Sequence, residues 1–144
     1  MSEIITNKLT GKTAAGNVTI TSEGGSATMQ LQQGVAKAWV SFNGVGTPAV
    51  RNSLNTSSIT DTATGDYTAA FTNSMNDSDY AIAGSGQRDG TYAVNSYGIE
   101  VDVKRASTHS TYITTSNYAI NTKWGNGAEQ DPRSALVITH GDLA

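Results

Sequence analysis

A chain of 144 residues has the length of one ordinary domain, with room for a short appended segment. Its charged fraction is 15%, against roughly 25% in a typical soluble domain, so Ser, Thr, Asn, Gln and Gly supply the polar surface, and these residues suit strands and turns better than exposed helices. The net charge of -3 argues against binding a phosphate backbone, the absence of Cys removes disulfides and Cys-based metal sites, and no apolar run is long enough for a membrane-spanning helix.

The first 33 residues read differently from the rest. Met1-Ser2-Glu3-Ile4-Ile5 lacks the basic start and apolar core of a secretory signal. Two short β-branched runs, at Glu3 to Ile5 and Asn17 to Thr21, flank the turn material Gly11 to Gly16. Gly24-Gly25 breaks the chain, and Ser26 to Gln33 is expected to form about two helical turns, capped by Ser26 and stopped at Gly34. The segment is too poor in large apolar residues to hold a core. Residues 1–33 are therefore expected to serve attachment or oligomerisation, with Met29 and Leu31 as candidate intersubunit contacts.

From residue 35 onward the period is two. In Val35 to Phe42, one face carries Ala36, Ala38, Val40 and Phe42, a core set, while Trp39 falls on the mostly polar opposite face. Trp39 thus needs cover from elsewhere, another part of the fold or a neighbouring subunit. Strands are predicted at Ala49 to Leu54 and Ser57 to Thr60, before a turn containing Gly65. Tyr67, Ala69 and Phe71 share a face, as do Tyr80 and Ile82 after the turn at Asn76 to Ser78. Gly84 to Gly90 reads as a hairpin connection. In Tyr97 to Lys104, Tyr97, Ile99, Val101 and Val103 alternate with polar residues; Tyr118, Ile120, Thr122 and Trp124 do the same. After a loop through Asp131-Pro132, the closing strand Ala135 to Thr139 is apolar on both faces, which suits a central position or a subunit contact. Short strands at intervals of about 8–12 residues with Gly, Asn and Asp between them predict an all-β fold, an antiparallel β-sandwich over residues 34–144.

The stretch Gly34-Val35-Ala36-Lys37-Ala38-Trp39-Val40-Ser41-Phe42-Asn43-Gly44, then Gly46-Thr47-Pro48-Ala49-Val50-Arg51, resembles a segment of tail-fibre-like virion proteins of marine tailed bacteriophages. The resemblance continues through Asn55 to Asp61, Thr64 to Thr68, Phe71-Thr72 and Met75, and more loosely at Leu136 to Gly141. It implies a β-rich module of a phage fibre, commonly a homotrimer, within the virion and in contact with other virion proteins of the capsid or tail. It supplies no catalytic residues.

The residues themselves offer little chemistry. His109 and His140 lack a second ligand at metal spacing, and Asn76-Asp77-Ser78-Asp79 lacks the central Gly and distal Glu of a Ca²⁺ loop, so no metal and no cofactor is expected. The Asn-x-Ser/Thr triplets at Asn17, Asn55 and Asn76 follow from the abundance of those residues. Glu100 and Asp102 fall on the face opposite the apolar one and read as solvated. Tyr92, Tyr97, Tyr112, Tyr118 and Trp124 lie among Ser, Thr and Asn, where flat rings beside hydroxyls and amides suit sugar recognition as well as packing. Tyr92, Tyr112, Tyr118 and Trp124 are the candidate receptor or glycan contacts, and Trp39 joins Met29 and Leu31 as a candidate intersubunit contact. The sequence thus predicts a non-enzymatic, self-associating virion protein, a fibre or tail-fibre-like projection with host-surface adhesion. A capsid decoration or head-fibre protein and a carbohydrate-binding module are the alternatives. Neither nucleic-acid binding nor membrane insertion is expected.

Overall fold

The structure, a computed structural model, describes residues 6–12, 18–22, 24–87, 98–104 and 112–144. The chain divides into two compact units, Met1–Val35 and Ala36–Ala144.

In the first unit, β1 (Thr19–Thr21) pairs antiparallel with β2 (Thr28–Gln30), placing Ile20 opposite Met29. The turn between them is held by Ser22 N donating to Ala27 O at 2.7 Å and by Gly25, whose φ of 73° needs a residue without Cβ. The helix expected over Ser26 to Gln33 is therefore replaced by a strand and a single 3-10 turn, Leu31–Gly34. Eight residues gain too few helical hydrogen bonds to offset nucleation, whereas pairing with β1 satisfies the same backbone groups at once.

The second unit is all-β and antiparallel: β3 (Ala38–Asn43), β4 (Ala49–Leu54), β5 (Thr56–Ala63), β6 (Asp66–Phe71), β7 (Ala81–Gln87), β8 (Ile99–Val103), β9 (Asn117–Trp124) and β10 (Ser134–His140). They form one curled sheet of order β4-β3-β10-β7-β8-β9-β6-β5. At its middle β7 meets β8, where, among the described residues, Gly86 pairs with Ile99. Two four-stranded halves, β4-β3-β10-β7 and β8-β9-β6-β5, thus face one another as the layers of a nearly closed sandwich.

Strand alternation fills the space between the layers. Ala38, Val40 and Phe42 of β3 and Ala135 and Val137 of β10 meet Tyr67, Ala69 and Phe71 of β6 and Tyr118 and Ile120 of β9, all buried. Phe42 stands edge-on to Tyr67 with ring centroids 5.0 Å apart, and Phe71, Tyr80 and Tyr118 form a second aromatic cluster at 5.4–6.5 Å. Such contacts contribute about 0.5–1.5 kcal/mol each beyond burial. The sets Tyr67/Ala69/Phe71 and Tyr118/Ile120/Thr122 fall on the core face as their period of two requires.

Two connections set the shape. Asn55, with φ 52°, turns the chain from β4 at one edge directly into β5 at the other. Its carboxamide is clasped by Asn73, whose N–H donates to Asn55 Oδ1 at 2.6 Å while Asn55 Nδ2 donates to Asn73 O at 3.0 Å. The other connection corrects the hairpin expected at Gly84 to Gly90. Gly84 to Gln87 belong to β7, and Arg88 to Gly90 lie outside the described residues. A Cβ on Gly84 would lie 2.8 Å from Val101 Cγ1, and one on Gly86 2.5 Å from Ile99 Cγ2. These glycines therefore let β7 close against β8 where the sheet bends.

Candidate functional site

The two outer faces of the sandwich differ in chemistry. On β8-β9-β6-β5, the positions that alternate with the core bring together Asp66, Glu100, Asp102, Lys104, Asn121 and Lys123. Lys104 Nζ pairs with Asp66 Oδ2, and Asn121 Nδ2 donates to Asp66 Oδ1, so both carboxylate oxygens are engaged. The hydrogen bond to Asp66 pushes the Lys104 ammonium above its ordinary pKa, against the opposing effect of burial. The Tyr112 ring lies over the same ammonium, 5.2 Å from centroid to Nζ. Lys123 Nζ approaches Asp102 Oδ2 at 3.8 Å. This cluster fixes strands and presents a polar, aromatic-edged surface.

At one end of the sandwich a second polar group is built into the core. Tyr67 Oη donates to Asp131 Oδ1 at 2.7 Å, and Gly65 N donates to the same oxygen at 2.8 Å. Burial first, and then the Asp131 carboxylate, push the Tyr67 phenol far above its ordinary pKa. Thr122 Oγ1 donates to Gln130 O at 2.6 Å, closing the loop that carries Asp131.

The outer face of β4-β3-β10-β7 carries no ionisable side chain over two full rows. Register places Leu54, Trp39, Ile138 and Ala83 side by side in one row and Asn52, Ser41, Leu136 and Ser85 in the next. Leu136 is 52% exposed, Leu54 48% and Ile138 38%. Between the large residues of β3 and β10 and the small ones of β7 runs an open groove of about 430 Å³, lined by Trp39, Ala83, Ser85, Leu136 and Ile138 over the backbone of Gly84.

The candidate residues from the sequence scatter across these features. Trp39 lies half-buried in these two rows, while Met29 and Leu31 belong to the first unit, Met29 exposed and Leu31 half-buried. Tyr112 and Trp124 are half-buried on the β8-β9 side. Tyr118, a candidate glycan contact, is instead fully buried between Phe71 and Tyr80 and presents no ring face to a sugar. Tyr92, Tyr97 and His109 lie outside the described residues; His140 ends β10. Asp77 and Asp79 form an Asx turn, with Asp79 N donating to Asp77 Oδ1 at 2.9 Å. The Asp66–Lys104–Asn121 cluster and Asp131 were not among the candidates. Alternation alone puts Asp66 and Asn121 on the outer sides of their strands, but only pairing Asp66 with Asn121 brings them together.

No known protein family matches the chain, and no curated protein is similar to it in sequence. In fold it is similar to the phiAB6 tailspike, solved in complex with three-repeated oligosaccharides of Acinetobacter baumannii surface polysaccharide, at 12% identity and a TM-score of 0.53. The likeness covers 86% of this chain and 23% of the tailspike chain, and at that identity it is a likeness of fold.

Proposed function

We propose that this chain is a non-enzymatic structural protein of a tailed bacteriophage particle, a homotrimeric fibre-like projection that contacts a host-surface glycan. The observation that carries the reading is the fold likeness to a phage tailspike across 86% of the chain. The composition supports it, because Ser, Thr, Asn and Gly in place of charge suit a surface built for contact with hydroxyl-rich partners. Tyr112, half-buried with its ring over the Lys104 ammonium, and Trp124, half-buried opposite Ile99, are the aromatic residues proposed to stack on sugar rings. Trp39, Met29 and Leu31 are the contacts proposed between subunits. Many weak contacts repeated over subunits and projections give avidity without a tight single site.

Gold-labelled antibody on purified particles, combined with binding of the pure protein to host surface polysaccharide, tests this reading. Label on the tail and saturable, non-hydrolysing binding, weakened about tenfold or more by Tyr112→Ala or Trp124→Ala, is the expected outcome. Label confined to the head without glycan binding selects a capsid decoration protein instead. Release of reducing sugar by the pure protein ends the non-enzymatic reading.

A further inference from the structure

Three neighbouring strands hold Asp66, Lys104 and Asn121 together without a flexible link. Asp66 and Asn121 are register partners on β6 and β9, and Lys104, just past the end of β8, is anchored by its N–H, which donates to Ala119 O at 2.9 Å. The Lys104 side chain reaches across β9 to Asp66 Oδ2, while Asn121 Nδ2 donates to Oδ1 of the same carboxylate. An amine thus meets one oxygen of a carboxyl group whose other oxygen is already held by an N–H donor. We infer that this cluster is the site of an intramolecular isopeptide bond, an amide between Lys104 Nζ and Asp66 Cγ that the folded chain forms by itself.

The step needs no co-reactant. Nζ attacks Cγ, and as the C–N bond forms, negative charge gathers on Oδ1, where Asn121 Nδ2 stabilises it. Two of the three ammonium protons pass to Oδ2, the Cγ–Oδ2 bond breaks, and that oxygen leaves as water with the electron pair of the bond. One ammonium and one carboxylate become one neutral amide and one water, so atoms and charge balance. Glu129 Oε1, which accepts from Asn121 Nδ2 at 3.5 Å, is the second carboxylate at hand to carry a proton from Nζ to Oδ2. Condensation of the free ions is unfavourable in water. Fixed geometry offsets this, because well-oriented intramolecular reactions reach effective molarities of ~10⁵–10⁸ M. Burial works the same way, since it disfavours both ions: the Asp66 side chain is only 10% exposed, and the Tyr112 ring lies over Nζ. The nearby pair of Lys123 with Asp102 makes the contrast, for it is 3.8 Å apart with the Asp102 side chain 47% exposed, and it stays an ordinary surface ion pair. Until the bond forms, Lys104 and Asp66 are the salt bridge described above, and the titration of Lys104 belongs to that unlinked chain.

The bond ties β6 to β8 across β9 and so keeps these three strands from peeling apart under load. Mass spectrometry of the purified full chain, after prolonged incubation at neutral pH, tests the inference. The intact protein is expected to weigh one water less than its sequence. Digestion after Lys, Arg and Glu cuts the unlinked chain into pieces that include residues 52–88 and 101–105, and these two are expected to be recovered as one branched peptide joined through Asp66 and Lys104. Lys104→Arg keeps the positive charge but has no amine to attack, so it is expected to show the full sequence mass with an unchanged strand spectrum by circular dichroism. Wild-type protein at its full sequence mass overturns the inference. So does the loss of a water with the two peptides recovered separately. Loss of one ammonia, with Lys104 joined to Asn121, overturns Asp66 as the acceptor.

Discussion

Two buried tyrosines show how much the same hydroxyl depends on its surroundings. Tyr67 Oη reaches a carboxylate that also accepts from Gly65 N, whereas Tyr118 Oη has no hydrogen-bond partner among the described residues. The net value of a hydrogen bond is modest, but a buried polar group left without a partner costs about 1–3 kcal/mol. Tyr118→Phe is therefore expected to be neutral or to stabilise the fold by up to about 1 kcal/mol. Tyr67→Phe is expected to destabilise by about 1–3 kcal/mol, since Asp131 loses one of its two donors in a partly buried place. Urea unfolding of the two variants checks the pair; equal losses would show that the hydroxyl environments do not differ as described.

At the scale of elements, the glycines of β7 decide where the sheet bends. Gly86 is opposite Ile99 where the two halves join, and a side chain there would meet Ile99 atoms at 2.5–2.7 Å. Gly86→Val is expected to cost about 1–3 kcal/mol through overpacking, with most strand content retained, as read by thermal unfolding and circular dichroism. The same element marks the limit of what the sequence discloses. Alternating large residues announce their strands: Ala38/Val40/Phe42, Tyr67/Ala69/Phe71 and Tyr118/Ile120 were all legible as core faces, and Trp39 as the exception outside it. In Gly84-Ser85-Gly86, glycine has no side chain to reveal a period and its usual service in turns misleads; its role depends on Val101 and Ile99, which lie far along the chain. The failed helix at Ser26 to Gln33 has a related cause, since hydrogen bonding to β1 outweighs local preference. The candidate site was less legible than the fold. Aromatic character named Tyr112 and Tyr118 alike, while burial separates them, and the Asp66–Lys104–Asn121 cluster exists only through strand pairing.

At the scale of the whole unit, buried phenols set the response to alkali. Burial pushes Tyr67, Tyr80 and Tyr118 all above their ordinary pKa. In the unfolded chain these groups ionise near pH ~10, while the folded chain keeps them protonated, so the native state binds more protons there and stability falls as pH rises. Lys104 works in the same direction: its raised pKa makes the ion pair fully stabilising below about pH 10.4 and lost as pH climbs through the folded value. Stability is thus expected to be flat with respect to these groups through neutral pH and to drop steeply above about pH 10. Each proton difference contributes about 1.4 kcal/mol per pH unit. Urea midpoints measured across that interval check the slope, and Tyr80→Phe is expected to flatten it. A midpoint unchanged up to about pH 11 would contradict the burial of these phenols.

The last strand of the sheet lies between β3 and β7, so that Thr139 Oγ1 donates to the carbonyl of Ala38, 101 residues earlier. A nascent chain therefore displays β3 long before its neighbour leaves the ribosome, and the layer stays an open, apolar surface through most of synthesis. Pairing over such separations is slow, on the order of milliseconds to seconds. During that interval the stretches between strands, rich in Ser, Thr, Asn and Gly, give an incomplete molecule little apolar surface with which to join another.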